Sequence, residues 1–303
     1  MPTIQYNNGN YTVIFDTKNG TKIRATADDD FVADFPENID IKITNWCNMG
    51  CKFCHEGSNA AGQHGNILNY KFIETLHPGT ELAIGGGLVT SHPDLEAFLR
   101  KLKRQGIIAN ITVHQHELLQ NMDKITHWLN EGLVHGVGIS LHTMDNQVVQ
   151  FAQEHPSCVI HLICGVTTAL LDELADKGLK VLLLGYKTFG RGVDYAEKTG
   201  SCIQAKINTL TSKLPEMLNK FAAISFDNLA IKQVQLQDII PDEFETVYMG
   251  DDGLFTCYMD LVEGTFAMNS TTPKEDRFPI EDDIYSMFAK VKAYKRSRDL
   301  KMI

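Results

Sequence analysis

The sequence predicts an α/β fold: a partial (β/α)6 barrel with a β-meander before it and an α+β extension after it. Three observations carry this prediction. Short apolar runs at 39–43, 81–85, 107–113, 133–141, 158–164 and 179–185 read as six strands. Helical patterns alternate with them, which is the signature of βαβ units and a parallel sheet. Six units are too few for a closed eight-stranded barrel, so an open, curved sheet is expected.

Each element follows from local pattern. In the first thirty residues, IQY and YTVIF flank Asn7-Asn8-Gly9-Asn10, and Lys18-Asn19-Gly20 precedes TKIRAT; both turns have hairpin chemistry. Ile39, Ile41 and Ile43 then alternate with Asp40, Lys42 and Thr44, which suits a strand with one face buried in the core. After the strand ELAIG, Ser91 is a candidate cap for a helix in which Leu95, Phe98, Leu99 and Leu102 share one face, ending at Gly106. Leu118, Met122, Ile125 and Leu129 mark the next helix, which stops at Gly132. Further helical segments lie around 147–153 and 168–177. Past Gly200 the rhythm changes. Pro215 interrupts a helical region at 203–221, and a β-rich patch reads as a hairpin around Asp251-Asp252-Gly253. The last helix starts acidic at Glu281-Asp282-Asp283 and ends basic at Lys295, Arg296 and Arg298, which complements its macrodipole. These readings divide the chain into a meander (1–37), a (β/α)6 core (38–200) and a C-terminal α+β cap (201–303).

Composition narrows the function classes. The 303 residues are 43% hydrophobic and 22% charged, as in soluble globular proteins. Net charge is −10; the stretch 238–283 holds thirteen acidic residues against two basic ones and so carries −11, and the rest of the chain sums to +1. So acidic a chain lacks the cations that drive non-specific nucleic-acid binding. No apolar run is long enough to span a membrane, and the opening MPTIQYNNGN has neither the basic nor the apolar region of an export signal. The seven cysteines do not form a disulfide framework in a chain of this length. A cytoplasmic location is the expectation, where clustered cysteines mean metal or catalysis.

One such cluster is present in ITNWCNMGCKFCHEG. Cys47, Cys51 and Cys54 are spaced C-x3-C-x2-C on a loop just past the first core strand. Thiolates this close in sequence can converge on one metal centre. Three of them leave one iron of a [4Fe–4S] cluster without a protein ligand, open to a cofactor or substrate. The alternative is a closed zinc loop, with His55 or a distant cysteine as fourth ligand.

The spacing, with Phe53 just before the last cysteine, resembles the signature of the radical SAM superfamily, and the resemblance covers about residues 39–190. It implies a radical SAM barrel, a [4Fe–4S] cluster on Cys47, Cys51 and Cys54, and S-adenosyl-L-methionine on the open iron. The cofactor's reductive cleavage would give a 5′-deoxyadenosyl radical that abstracts hydrogen from a substrate, either a small molecule or a peptide. The resemblance also implies an electron donor such as flavodoxin or ferredoxin. Gly85-Gly86-Gly87 stands where the family has Gly-Gly-Glu-Pro, whose backbone and Glu hold the methionine amino group; here Leu88 replaces the acid. Ser140, with His142 nearby, falls where the family has a polar group for the ribose, and Gly165-Val166 where it packs the adenine. Phe53, Gly85, Gly86, Gly87 and Ser140 are therefore the expected cofactor contacts.

Other residues invite weaker readings. Tyr186, Lys187 and Arg191 follow the sixth strand, at the end of the sheet where α/β proteins bind ligands. Cys257 and Tyr258 could quench a substrate radical, although a buried cysteine is commonly a packing residue. G-x-S-x-G, H-E-x-x-H and P-loop motifs are absent, and no C-terminal cysteine array signals further clusters. The rival to an enzyme is a non-catalytic iron–sulfur or zinc-binding protein on the same barrel.

Overall fold

The structure, a computed structural model, describes residues 3–17 and 20–300. Strands β1 (Thr3–Asn8), β2 (Tyr11–Asp16) and β3 (Lys22–Ala25) form a separate antiparallel sheet in chain order. The β1–β2 turn needs Gly9, at φ +61°, because a side chain there would meet the Val32 carbonyl. Lys18 and Asn19 of the second expected turn lie outside the described residues.

Among the described residues the main sheet has ten strands. β4 (Asn38–Thr44), β5 (Glu81–Gly86), β6 (Ile108–His114), β7 (Gly136–Ser140), β8 (Cys158–Ile163) and β9 (Lys180–Leu184) lie side by side in chain order and are all parallel. These correspond to the six runs read from the sequence. β10 (Ala223–Phe226) extends the sheet in parallel beyond β9. On the other side, β11 (Thr256–Asp260) pairs in parallel with β4, and β12 (Thr265–Ala267) and β13 (Phe278–Pro279) follow antiparallel. The β11–β12 hairpin turns through Gly264, at φ +68°, and not around Asp251-Asp252-Gly253 as the turn chemistry suggested.

The helices are α1 (Leu95–Arg104), α2 (Gln115–Asn130), α3 (Asn146–Glu154), α4 (Leu171–Leu174), α5 (Arg191–Met217), α6 (Asn228–Val234), α7 (Leu236–Ile239), α8 (Phe244–Val247) and α9 (Ile284–Asp299). Ser91 does not cap α1. It lies in a single 3-10 turn (Val89–Ser91), and α1 begins after Asp94. Pro215 lies inside α5, in its last turn, so it does not interrupt the helix earlier, and that helix runs through the boundary expected at residue 200. The first crossover, residues 45–80, holds one 3-10 helix (Lys71–Thr75) and no α-helix. It is therefore a long loop, of the kind that in compact domains usually carries function.

Period-2 alternation sorts the parallel strands into two faces. Ile39, Ile41, Ile43, Leu82, Ile84, Ile111, Val113, Val137, Ile139, Ile160, Leu162, Val181 and Leu183 are all buried in the core that also takes Phe98 and Leu99 of α1, Trp128 of α2 and Val148 of α3. Burying one such aliphatic side chain contributes about 1.5–3 kcal/mol. The alternate positions are Asp40, Lys42, Ala83, Gly85, Thr112, His114, Ser140, Ile163 and Leu184, and these line a cleft. The polar positions of β4 thus face a cavity inside the protein, where alternation alone left them facing outward.

The small N-terminal sheet is tied to the beginnings of the strands, away from this cleft. Glu37, buried just before β4, accepts hydrogen bonds from Tyr11 Oη (2.6 Å) and Arg24 Nε (2.7 Å). Lys22 pairs with Glu81 at the start of β5 (2.7 Å), and Arg24 stacks on Phe255 at 3.7 Å. No helix among the described residues is long and apolar enough to cross a membrane.

Candidate functional site

The cleft opens at the carboxyl ends of β4–β9 and has a volume of about 290 Å³. Cys47, Cys51, Cys54, Phe53, Gly85, Gly86, Gly87 and Ser140 all line it. Residues distributed over strands β4, β5 and β7 in the sequence are thereby brought to one wall. A larger cavity of about 520 Å³ adjoins through Lys42, His55, Glu56 and Ser270, but none of the cysteines lines it.

The cysteine loop is fixed mainly through its backbone. Cys47 N–H donates to Asn59 O (3.0 Å), Cys54 N–H to Cys51 O (3.3 Å) and Gly57 N–H to Cys54 O (3.2 Å). Arg191, the first residue of α5, donates from Nε to Cys51 O (2.9 Å), from Nη1 to Ser58 O (2.8 Å) and from its amide to Cys54 O (3.0 Å). Sequence position suggested that Arg191 meets substrate; instead it clamps the loop that carries the thiols. Gly190 just before it has φ +51°, and any side chain there would strike His55 O at 2.5 Å.

The glycines divide by role. A Cβ on Gly87 would lie 2.0 Å from Trp46 O, and one on Gly86, at φ +127°, would lie 2.4 Å from Thr44 O. Both pack against the chain that leads into Cys47, and the Gly87 and Leu88 amides donate to Thr44 O (2.8 Å) and Trp46 O (2.9 Å). Gly85 differs, because nothing lies within 4 Å of its would-be Cβ. Its missing side chain leaves open space in the cleft wall.

Each thiol is unbridged. Burial raises the Cys47 thiol, and burial with repulsion from Cys54 and Cys47 pushes Cys51 up to about 11. Such thiols deprotonate readily only when a cation takes the charge, so the donor set fits a metal centre. The donor atoms that gather within 4.8 Å of one another are Cys51 Sγ and one nitrogen each of His114 and His142, not the three sulfurs. A single zinc with sulfur ligands at about 2.3 Å holds them about 3.8 Å apart. The wider cysteine triad suits a cluster in which each thiolate takes its own iron. His55 is not in that donor set; its Nε2 lies 3.3 Å from Glu56 Oε1.

Two histidines line the cleft beside these residues, His114 at the end of β6 lying next to Ser140 of β7. His114 Nδ1 accepts the His116 amide (3.1 Å), so its Nε2 carries the hydrogen and donates to His142 Nδ1 at 3.0 Å. Cys51 Sγ is 4.0 Å from the same His142 nitrogen, and the Phe53 ring meets His142 edge-on at 5.1 Å. Burial, then the neighbouring His142 and His116, lowers the His114 pKa to about 4, which keeps the pair neutral. His114 was not singled out from the sequence, although its place at the end of a strand was a usable signal. It doubles as the cap of α2, completing a capping box with Glu117.

Below the cysteines lies a charged group that the sequence did not reveal. Lys42 Nζ bridges Glu56 (2.9 Å) and the fully buried Asp260 (3.0 Å), and Arg277 approaches Asp260 at 3.7 Å. Burial opposes the charge on Glu56, but His55 and Lys42 outweigh it and hold its carboxyl well below the usual range. The β4–β11 register explains the cluster: Asp260 lies opposite Lys42 and Tyr258 opposite Asp40. Tyr258 therefore faces the cleft, whereas Cys257, opposite Ile39, points into the core. Tyr186 spends its hydroxyl on Gly192 O (2.6 Å), and Lys187 reaches Ser270 Oγ at 3.2 Å. Gly165 packs on Ile203 of α5, and Ile163 rather than Val166 reaches the cleft.

No protein-family model and no curated protein matches the chain in sequence. Among solved structures the chain is similar to SuiB of Streptococcus suis. The structure of SuiB bound to the precursor peptide SuiA superposes with a TM-score of 0.64 at 12% identity, covering 98% of this chain and 89% of that one. SuiB bound to S-adenosylmethionine gives 0.63 at 11% identity, covering 96% and 89%. A further SuiB structure gives 0.59 at 9%, covering 95% and 87%. At this identity the likeness establishes a shared fold and nothing further.

Proposed function

We propose that the chain is a cytoplasmic radical S-adenosylmethionine enzyme on a partial (β/α)6 barrel. The observation that carries this is the convergence of three unbridged thiols, an open glycine wall at Gly85 and Ser140 on one cleft. When bound, a [4Fe–4S] cluster on Cys47, Cys51 and Cys54 would supply the electron that cleaves S-adenosylmethionine and releases a hydrogen-abstracting 5′-deoxyadenosyl radical. The chain's own residues do the rest. Arg191 and Gly190 hold the loop in one conformation. Gly85 lets the cofactor's methionine end approach backbone; with Leu88 in place of the family's acid, that end is held without a carboxylate. Ser140 would meet the ribose, and Phe53, whose ring meets His142 edge-on, would close the side of the cluster site.

SuiB was solved with a precursor peptide bound, and its likeness spans nearly this whole chain, which supports a peptide as the substrate. A flavodoxin or ferredoxin would supply electrons. The test is anaerobic reconstitution of the wild type and of Cys47→Ala, Cys51→Ala and Cys54→Ala. The wild type should be brown with about four irons per chain, and each variant should fail to load.

A second reading rests on the donor atoms of Cys51, His114 and His142 lying within 4.8 Å of one another, which suits a single ion such as zinc in a non-catalytic protein. It predicts one zinc per chain, lost in His142→Ala and indifferent to Cys47→Ala. The cluster reading predicts the reverse dependence.

A further inference from the structure

The inner face of β4 carries one charged group with no hydrogen-bond or ion-pair partner among the described residues. Lys42 is held between Glu56 and Asp260, Glu56 is held by Lys42 and His55, and Lys187 donates to Ser270. Asp227 caps α6 and accepts the amides of Ala230 (2.7 Å) and Gly185 (2.9 Å), while Asp252 accepts Asn228 and Asn269, each at 2.7 Å. Asp40 is different. It lines the cleft, and no hydrogen bond or ion pair among the described residues reaches its carboxylate. The side chain is solvent-accessible, and it lines the cleft among the residues of β4, β5 and β11.

Its neighbours make room and set the charge. Across the sheet Asp40 lies beside Ala83 on one strand and Tyr258 on the other. It is two residues, about 7 Å, deeper than Lys42 and Gly85, so it lies beneath the proposed cofactor site and not in it. Burial raises its pKa to about 6; Lys187 opposes this, and Asp252, Asp227 and Glu56 add to it. Lys187, whose ammonium donates to Ser270, favours the carboxylate, but burial and the three acids outweigh it, so a further cation is favoured and further anions are repelled. A metal ion does not fit, since Asp40 belongs to no set of three donors gathered within 4.8 Å.

We propose that Asp40 is the recognition group for a cationic function on the substrate, an ammonium or guanidinium, which it takes by a charge-assisted hydrogen bond at the floor of the cleft. The proposal rests on the functional reading above and adds a substrate class to it.

The test uses the reconstituted full chain under anaerobic conditions and three probes: N-acetyl-L-lysine methylamide, its arginine counterpart, and the neutral N-acetyl-L-norleucine methylamide. Binding is measured by calorimetric titration or ligand-observed NMR. The wild type should prefer at least one cationic probe over norleucine by ten-fold or more. Asp40→Asn should erase that preference while keeping iron content and S-adenosylmethionine affinity within about two-fold. Equal affinity for cationic and neutral probes in the wild type overturns the proposal, as does an undiminished preference in Asp40→Asn. Loss of cofactor affinity in Asp40→Asn also overturns it, by assigning Asp40 to the cofactor. If Asp40→Asn does not fold, the wild-type ratio decides alone. Formation of 5′-deoxyadenosine is scored in the same preparations. A wild type that prefers cations but never cleaves the cofactor refutes the functional reading and leaves the cation site standing. A wild type that cleaves the cofactor without preferring cations refutes the cation site only.

Discussion

Gly87→Ala and Gly85→Val separate packing from cofactor approach within one three-residue stretch. At Gly87 the new methyl would lie 2.0 Å from Trp46 O. Restoring an ordinary contact of about 3.4 Å requires a shift of about 1.4 Å in one of two hydrogen-bonded backbones. That shift breaks the bonds from Gly87 N–H to Thr44 O and from Leu88 N–H to Trp46 O. Two lost backbone bonds cost about 2 kcal/mol in net terms, and overpacking adds about 1–3 kcal/mol. The sum, about 3–5 kcal/mol, corresponds to a fall in Tm of about 6 °C for a chain of this length. The displaced segment leads directly into Cys47, so iron loading should fall with it. Gly85→Val meets no atom within 4 Å of its Cβ. It should keep both Tm and iron content but lose S-adenosylmethionine affinity by ten-fold or more, read by anaerobic titration of the cluster's absorbance. If the two variants behave alike in iron content and Tm, the division of the glycines is wrong.

Three further outcomes follow from the same geometry. Arg191→Ala removes two side-chain bonds to loop carbonyls, each worth about 1.5–3 kcal/mol as a charged donor, so iron should be lost faster to a chelator while the circular dichroism spectrum is unchanged; wild-type retention would mean that the amide bond to Cys54 suffices. Lys42→Met leaves Asp260 buried without its ammonium and should lower unfolding free energy in urea by about 3–5 kcal/mol, whereas a loss below about 1 kcal/mol would show that Arg277 already neutralises the site. His161, surrounded by protein above Gly138, has its pKa lowered by burial to about 4. The unfolded chain takes up this proton near pH 6.5 and the folded chain near 4, so its contribution is complete above about pH 6.5 and is lost as pH falls toward 4. That loss is about 3 kcal/mol in urea unfolding, and an unchanged pH slope in His161→Gln would contradict it.

The six parallel strands were legible because each is a short apolar run with turn residues at its ends, and the cysteine loop because its ligands are adjacent in sequence. What escaped the sequence depends on pairing between distant segments. β11 joins β4 in parallel across more than two hundred residues, and only that register sets Asp260 against Lys42 and Tyr258 against Asp40. Alternation in β4 correctly gave one buried face, but it could not distinguish bulk water from a cleft for Asp40 and Lys42. The hairpin turn was misplaced because Asp-Asp-Gly is a strong local signal, while the pairing of Thr265 with Asp260 fixes the turn at Gly264. Arg191 was recognised as lying at the ligand end of the sheet. Its actual partners, the carbonyls of Cys51 and Ser58, carry no sequence signal.

The central claim is that this cleft cleaves S-adenosylmethionine. The most direct measurement is 5′-deoxyadenosine formation by anaerobically reconstituted protein with dithionite or reduced flavodoxin, compared with Cys51→Ala handled identically. The account predicts multiple turnovers of 5′-deoxyadenosine in the wild type, with about four irons per chain, and none in the variant. Protein that holds four irons yet gives no 5′-deoxyadenosine, or that holds one zinc and no iron, would contradict it.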